Sequence, residues 1–351
     1  MGIFIGVMNP IWSSMLEESD YDFYHLPEYV SIESKMLQGE AIAYFHQEGK
    51  NKMLIPLIRR KIPPLNNKPR ELYDAGSPYG YPGILFNRSF DYNVMDDFLG
   101  QFIEDAGELQ LVSTVIRLNP YYNNVMFMET EHVRQVTHGH TVWINLQHDM
   151  KELFTSFSKN HRANIKSLQN DKFKVIKGNW KYYQEFVDMY YSTMDRNQAN
   201  NYYYFDEHYF MMLKATLQEH LQLFVVKDAN GNICSGGIFT HYNGIIQSHL
   251  VATRQEYLQL APVKLVFYEA IKWGKQTRCR WMNLGGGRGS PTDSLLLFKQ
   301  GFSKLKRRYS TLQIVHDQVK YQNILQQLNN EPRQADFFPV YRASPLKAIS
   351  S

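Results

Sequence analysis

A lone lysine closes the apolar stretch Leu295-Leu296-Leu297-Phe298-Lys299-Gln300-Gly301-Phe302. At the end of a helix such a cation complements the negative pole of the backbone dipole. Held beside an aromatic ring in a cleft, it also stabilises the negative charge that develops when an ester carbonyl is attacked. On the second reading Lys299, with Phe298 beside it, is a candidate catalytic residue; on the first it only complements the helix end. Just upstream runs Gly285-Gly286-Gly287-Arg288-Gly289-Ser290, between a strand-forming run and a helix start near Thr292 or Asp293. Glycines in that place either make a tight turn or bring backbone N–H groups onto an anion. The turn lacks the Gly-Lys-Ser/Thr ending of a P-loop, and Ser290 stands where a dinucleotide fingerprint needs glycine. Gly286, Gly287 and Arg288 enter as candidate substrate contacts.

Arg162 lies in the basic run Lys159 to Lys166, which reads as a solvated helix face or as a guanidinium fork for phosphate or carboxylate. Arg196 and Tyr204 sit in a tyrosine-crowded segment, Tyr190 to Phe210, that suits packing or the wall of a polar cleft. Tyr79 and Tyr81 belong to a Pro-, Gly- and Tyr-rich loop, Leu65 to Asn87, whose ordering entropy packing or a ligand must offset. His249 is a candidate substrate contact and, with Asp195 and Asp293, a candidate proton acceptor. Lys304 to Arg308 with Lys272, Lys275, Arg278 and Arg280 make either a phosphate-backbone patch or solvated surface.

Other chemistries are set aside. Neither a His-Glu-x-x-His zinc motif nor a Gly-x-Ser-x-Gly nucleophile elbow occurs. His138 and His140 share a strand face without a third ligand, so no metal is expected. The two cysteines, Cys234 and Cys279, are far apart with no zinc-spaced partners, which excludes a disulfide framework and fits a cytoplasmic address. No apolar run is long enough to span a bilayer. Met1 to Met8 lacks the basic start and cleavage site of a signal peptide and reads as a first strand. A net charge of +4 permits an anionic partner without demanding one.

The elements that must position these residues form two similar halves. A length of 351 residues favours two cores over one. Glu40 to Phe45 and Lys52 to Arg59 flank a Gly-containing turn, a hairpin pattern that returns as Leu221 to Lys227 and Ile233 to His241 around Gly231. A third strand, Ile245 to Val251, follows. Pro262 to Lys275 reads as a helix with Val263, Val266, Phe267, Ala270 and Ile271 on its core face. Strands at Trp281 to Leu284 and Thr311 to Val315 flank the Lys299 helix. In the first half, helices are expected at Pro27 to Leu37 and Asn93 to Ala106, and strands at Leu109 to Leu118 and Val133 to Asn145. The class is α/β (α+β), each half a mixed, mostly antiparallel sheet flanked by helices. The expected domains are residues 1–158 and 159–351.

Three stretches resemble the FemAB group of tRNA-dependent aminoacyltransferases, neighbours of the GNAT acyltransferases. Tyr21-Asp22-Phe23-Tyr24-His25-Leu26-Pro27-Glu28-Tyr29 is similar to the opening of that group's first domain. Ser77-Pro78-Tyr79-Gly80-Tyr81-Pro82-Gly83 is similar to the loop after its hairpin. Arg162 to Lys166, Gly285 to Gly289 and Phe298-Lys299-Gln300-Gly301-Phe302 are similar to its linking Arg motif and late Phe-Lys motif.

The resemblance implies tandem GNAT-like domains, the first binding acceptor and the second binding donor and carrying catalysis. It implies transfer of an aminoacyl group from charged tRNA to an amine of a nucleotide- or lipid-linked envelope precursor. No resident cofactor is implied, and peripheral membrane contact is compatible with it. Lys299 would stabilise the oxyanion or the tRNA end beside Phe298, Arg162 would bind acceptor phosphate, and Tyr79 and Tyr81 would line the acceptor cleft. Two departures stand out. Tyr257-Leu258-Gln259-Leu260-Ala261-Pro262 replaces the Gly-rich pyrophosphate loop of GNAT enzymes, which disfavours acyl coenzyme A as donor, and no coiled-coil insertion for tRNA is present. The alternatives are a coenzyme A-dependent N-acyltransferase acting on an amino sugar in polysaccharide synthesis, and a non-catalytic module that binds an envelope precursor.

Overall fold

The computed structural model describes residues 2–63, 71–123, 125–287, 293–328 and 337–343. The chain divides into two compact units, residues 1–138 with 309–351, and residues 139–308.

Unit 1 starts with β1 (Gly2–Gly6), α1 (Pro10–Glu18) and α2 (Pro27–Met36). The hairpin β2 (Glu40–Glu48) and β3 (Asn51–Lys61) follows, then β4 (Tyr73–Gly76), β5 (Leu85–Phe86), α3 (Met95–Asp105) and β6 (Leu111–Arg117). β7 (Val133–Asn145) carries the chain into unit 2, where α4 (Met150–Ser156), α5 (Lys159–Asn170), β8 (Lys174–Lys177), α6 (Tyr183–Arg196) and α7 (Glu207–Leu217) come first. There follow β9 (Leu221–Lys227), β10 (Ile233–Tyr242), β11 (Ile245–Thr253), α8 (Val263–Gln276), β12 (Trp281–Gly285) and α9 (Ser294–Gln300). β13 (Lys306–Val315) returns the chain to unit 1, which ends with α10 (Gln318–Gln327).

The same strand order recurs in both units. In unit 1 it is β1-β2-β3-β4-β6-β13, antiparallel throughout except that β4 and β6 are parallel. In unit 2 it is β8-β9-β10-β11-β12-β7, with β11 and β12 the parallel pair. The two hairpins singled out in the sequence thus hold equivalent places. The sixth strand in each of these orders comes from a distant stretch of chain.

Local chemistry explains the elements that position the site. Pro27 opens α2, where a missing N–H costs nothing, and Asp22 with His25 forms a capping box just ahead of it. The face of α8 built from Val266, Phe267, Ala270 and Ile271 is buried, together with Leu265, against Phe239, Ile246 and Met282 of the sheet. Unit 1 has its own cores, one around Phe98, Phe102, Ile55 and Leu57 and another around Trp12, Val30 and Leu54.

Two expectations need correction. The boundary at 158/159 is replaced by crossings at 138/139 and 308/309, because α4 and α5 pack on the core of unit 2 through Leu153, Phe157 and Ile165, while β13 pairs with β6. The stretch Leu65 to Asn87, read as loop, contains β4 and β5, and residues 65–70 lie outside the described residues. Tyr73-Asp74-Ala75-Gly76 is too short and polar to announce a strand, and it becomes one by pairing on both edges. In the basic cluster Lys304, Lys306 and Arg308 are exposed, which leaves both readings of that run open, while Arg307 of β13 covers the rings of Trp143 and Trp281.

Candidate active site

α9 is a short helix held at both ends. Asp293 caps its start, accepting from the N–H groups of Leu295 at 2.9 Å and Leu296 at 3.1 Å. Leu296 and Phe298 face the core of unit 2. Lys299, in the last turn, reaches back so that Nζ donates to the carbonyl of Gly286 at 2.6 Å. Gly286 follows β12, and the chain leaves that strand through Gly285 at φ +78°, a conformation that favours glycine. Gly287 has no room for a side chain, since a Cβ there would lie 2.0 Å from Oδ2 of Asp293. The glycine turn and the Phe-Lys helix, separate motifs in the sequence, are thus one device. Arg288 falls outside the described residues.

The amine of Lys299 is enclosed although its side chain is partly exposed, and burial pushes its pKa down to about 8, with the charge of Asp293 pulling the other way. A lysine so poised is charged at neutral pH and only weakly solvated, the state in which a cation acts most strongly on a developing oxyanion.

The neighbour that sequence reasoning missed is His161. Its Nε2 lies 3.0 Å from the carbonyl of Phe298, and its ring packs against Phe298 and Phe302. A Cβ on Gly301 would lie 2.3 Å from Cε1 of that ring, so this glycine makes room for the histidine. Ser158 caps α5 by accepting from the N–H of His161, and its own N–H donates to Gly301. Burial, followed by the nearby positive charge of Lys264, lowers the His161 pKa to about 4, so the ring is neutral near pH 7. Lys264 is itself buried, with Nζ on Oδ1 of Asn160 at 2.8 Å. The only sequence signal for His161 was its place beside Arg162 in a capped helix start.

Arg162 turns its guanidinium onto the carbonyls of Thr155, at 2.7 Å, and Phe157, closing the C-terminal end of α4. Arg196, Tyr204 and His249 make these contacts among α6, the segment after it, α7 and β11, away from α9. Arg196 donates to the carbonyl of Thr253 at 3.3 Å, and Tyr204 donates to Asp195 at 2.7 Å. His249 occupies a β-bulge in β11, opposite Ile238 and Phe239, which turns it inward to Tyr209 at 2.9 Å. Burial lowers its pKa to about 3, and a ring that weakly basic is poorly suited to take a proton at neutral pH.

In unit 1 the segment 77–83 is tied down residue by residue. Arg117 donates to the carbonyls of Ser77 and Pro78, Tyr29 to that of Tyr79 at 3.1 Å, and Asn119 to that of Tyr81 at 2.7 Å. The N–H of Tyr79 meets the buried carboxylate of Glu33 at 3.3 Å. Gly80, at φ +92°, lies so close to Tyr24 that a Cβ would be 2.1 Å from its ring. Tyr81 packs edge-on against Tyr24 and Tyr309. The backbone of this aromatic segment is thus fixed without a ligand.

No protein-family model and no curated protein matches the sequence. Solved structures do match the fold. The chain folds like FemX. That likeness has a TM-score of 0.66 and covers 92% of this chain and 99% of FemX, at 14% identity. A conserved protein of unknown function from Bacteroides thetaiotaomicron matches with a TM-score of 0.57 and 12% identity over 90% of this chain and 100% of its own. The C-terminal domain of a candidate lysylphosphatidylglycerol synthetase from Agrobacterium fabrum matches at 0.52 and 11% identity, over 86% and 95% of the two chains. The FemX-like fold spans both units. Among the described residues, no helix is long and apolar enough to cross a membrane.

Proposed function

We propose that the protein is an aminoacyltransferase of cell-envelope synthesis, moving an aminoacyl group from charged tRNA to an amine of a nucleotide- or lipid-linked envelope precursor. The observation that carries the reading is the enclosed amine of Lys299, held by the Gly286 carbonyl at the end of α9. The FemX-like fold and the resemblance of the Phe298-Lys299 stretch to the FemAB Phe-Lys motif support the same assignment.

In the proposed step the acceptor nitrogen attacks the ester carbonyl and the new C–N bond forms. The carbonyl oxygen takes the negative charge beside the Lys299 ammonium. Collapse of the adduct expels the ribose hydroxyl, and the proton lost by the attacking amine passes to solvent or to the leaving oxygen. Unit 1, with Tyr79 and Tyr81 on a fixed backbone, is assigned to the acceptor, and unit 2 to the donor. The entry to α8 supports a donor other than coenzyme A. The N–H groups of Ala261, Lys264 and Leu265 are spent on Leu258, Ala261 and Pro262, which leaves them turned inward and not towards a pyrophosphate.

Incubation of purified protein with mixed charged tRNAs, acyl coenzyme A donors and amine acceptors, followed by mass spectrometry, tests the reading. Transfer from tRNA that falls by about 10²–10³ in Lys299→Met is expected. Transfer from coenzyme A alone, or unchanged turnover in the variant, overturns the donor or the catalytic assignment respectively.

A further inference from the structure

β8 is the edge strand of unit 2 and reads Lys174-Val175-Ile176-Lys177. Lys174 stands directly opposite Lys227 of β9, and like charges so paired weaken a sheet. The ammonium of Lys227 lies 4.5 Å from the ring centre of Tyr182, that of Lys181 lies 4.9 Å from the same ring, and that of Lys214 on α7 lies 4.9 Å from the ring of Trp180. None of these four lysines pairs with a carboxylate among the described residues. The ammonium groups of Lys227 and then Lys181 pull the Tyr182 phenol below its ordinary pKa, a sign of how much positive charge converges there. Edge lysines alone would be explained by protection against edge-to-edge pairing. That account does not cover Lys227, one strand inward, or Lys181 and Lys214, which are off the strand.

We infer that this face of unit 2 binds RNA through a single-stranded stretch. Phosphates would take the four ammonium groups, and bases would stack on the rings of Trp180 and Tyr182 that the lysines now cover. The rings of Trp180 and Tyr182 are half-buried with lysine ammonium groups at their faces, the arrangement of a stacking platform, and Met211, three residues before Lys214 on α7, is the strongly exposed apolar side chain that the vesicle arm of the test addresses. The inference deepens the donor assignment made above, but the binding itself is measured without turnover.

The test is fluorescence anisotropy of the full chain with labelled oligouridine across a salt series, with phosphatidylglycerol vesicles as a second probe. Each phosphate held contributes about −0.7 to the slope of log affinity against log salt, so Lys174→Gln with Lys227→Gln should flatten the slope by ~1.4. Trp180→Leu with Tyr182→Leu should weaken binding about fivefold or more at every salt concentration and leave the slope unchanged. Equal affinity and slope in the lysine variant overturn the inference, as does binding of vesicles in place of RNA. RNA binding that follows this pattern without transfer from charged tRNA sinks the donor reading and leaves the surface standing.

Discussion

Lys299→Met isolates the cost of enclosing one ammonium group. In the folded chain the Lys299 pKa falls from 10.5 to about 8. A shift of that size corresponds to roughly 3 kcal/mol of unfavourable interaction of the charged form. Below about pH 8 the folded and unfolded chains both hold the proton, and the cost is present in full. As pH rises from there towards 10.5, the folded lysine loses its proton first. The unfolded state then binds more protons, so unfolding free energy rises with pH. Above 10.5 both states are neutral and the cost is gone. Methionine has a similar length and no proton, so its variant lacks this dependence. Wild-type minus variant unfolding free energy should be flat below about pH 7.5 and climb by roughly 3 kcal/mol across the alkaline window. Urea titrations read through Trp143, Trp273 and Trp281 of unit 2 measure it. A difference that stays level at every pH would mean that water reaches the amine, and the electrostatic argument for catalysis would go with it. The same proton supplies the charge offered to the oxyanion, so turnover at saturating substrate should decline above about pH 8.

Other outcomes follow from neighbouring geometry. His161→Ala removes the bond to the Phe298 carbonyl and a ring packed on Phe298 and Phe302, and chemical denaturation should show a loss of about 2–4 kcal/mol. Gly301→Ala drives a methyl into the His161 ring and should cost about 1–3 kcal/mol, most of it recovered when combined with His161→Ala in a double-mutant cycle. Lys174→Gln relieves the pair with Lys227 and should raise stability by about 0.2–1 kcal/mol, seen as a higher Tm at low salt. Asp74→Asn leaves Arg60 and Arg342, now 3.0 and 2.7 Å from its carboxylate, without their anion, and should cost about 3–5 kcal/mol.

Much of the fold was readable wherever one residue's neighbours in sequence are also its neighbours in space. The apolar face of α8 and the turn around Gly231 declare themselves because helix period and turn chemistry are local. β4 and β8 escaped notice because each is four residues long and acquires its strand character from partners far along the chain. The exchange of β7 and β13 was invisible for the same reason: nothing in Thr311 to Val315 encodes that its partner is Ser113 to Arg117.

At the site, residue type alone singled out Lys299, Phe298 and the glycine turn, since an isolated cation in an apolar helix and glycines after a strand are unusual enough to see. Tertiary structure alone supplied the Gly286 carbonyl as the partner of that cation, the Asp293 carboxylate in the space Gly287 leaves empty, and the His161 ring in the space left by Gly301. It also turned Arg162 onto the end of α4 and His249 into the core. Chemical capacity is a property of each side chain and can be read one letter at a time. Burial and partnership depend on which distant segments pack together, and those set the pKa that decides what a lysine can do.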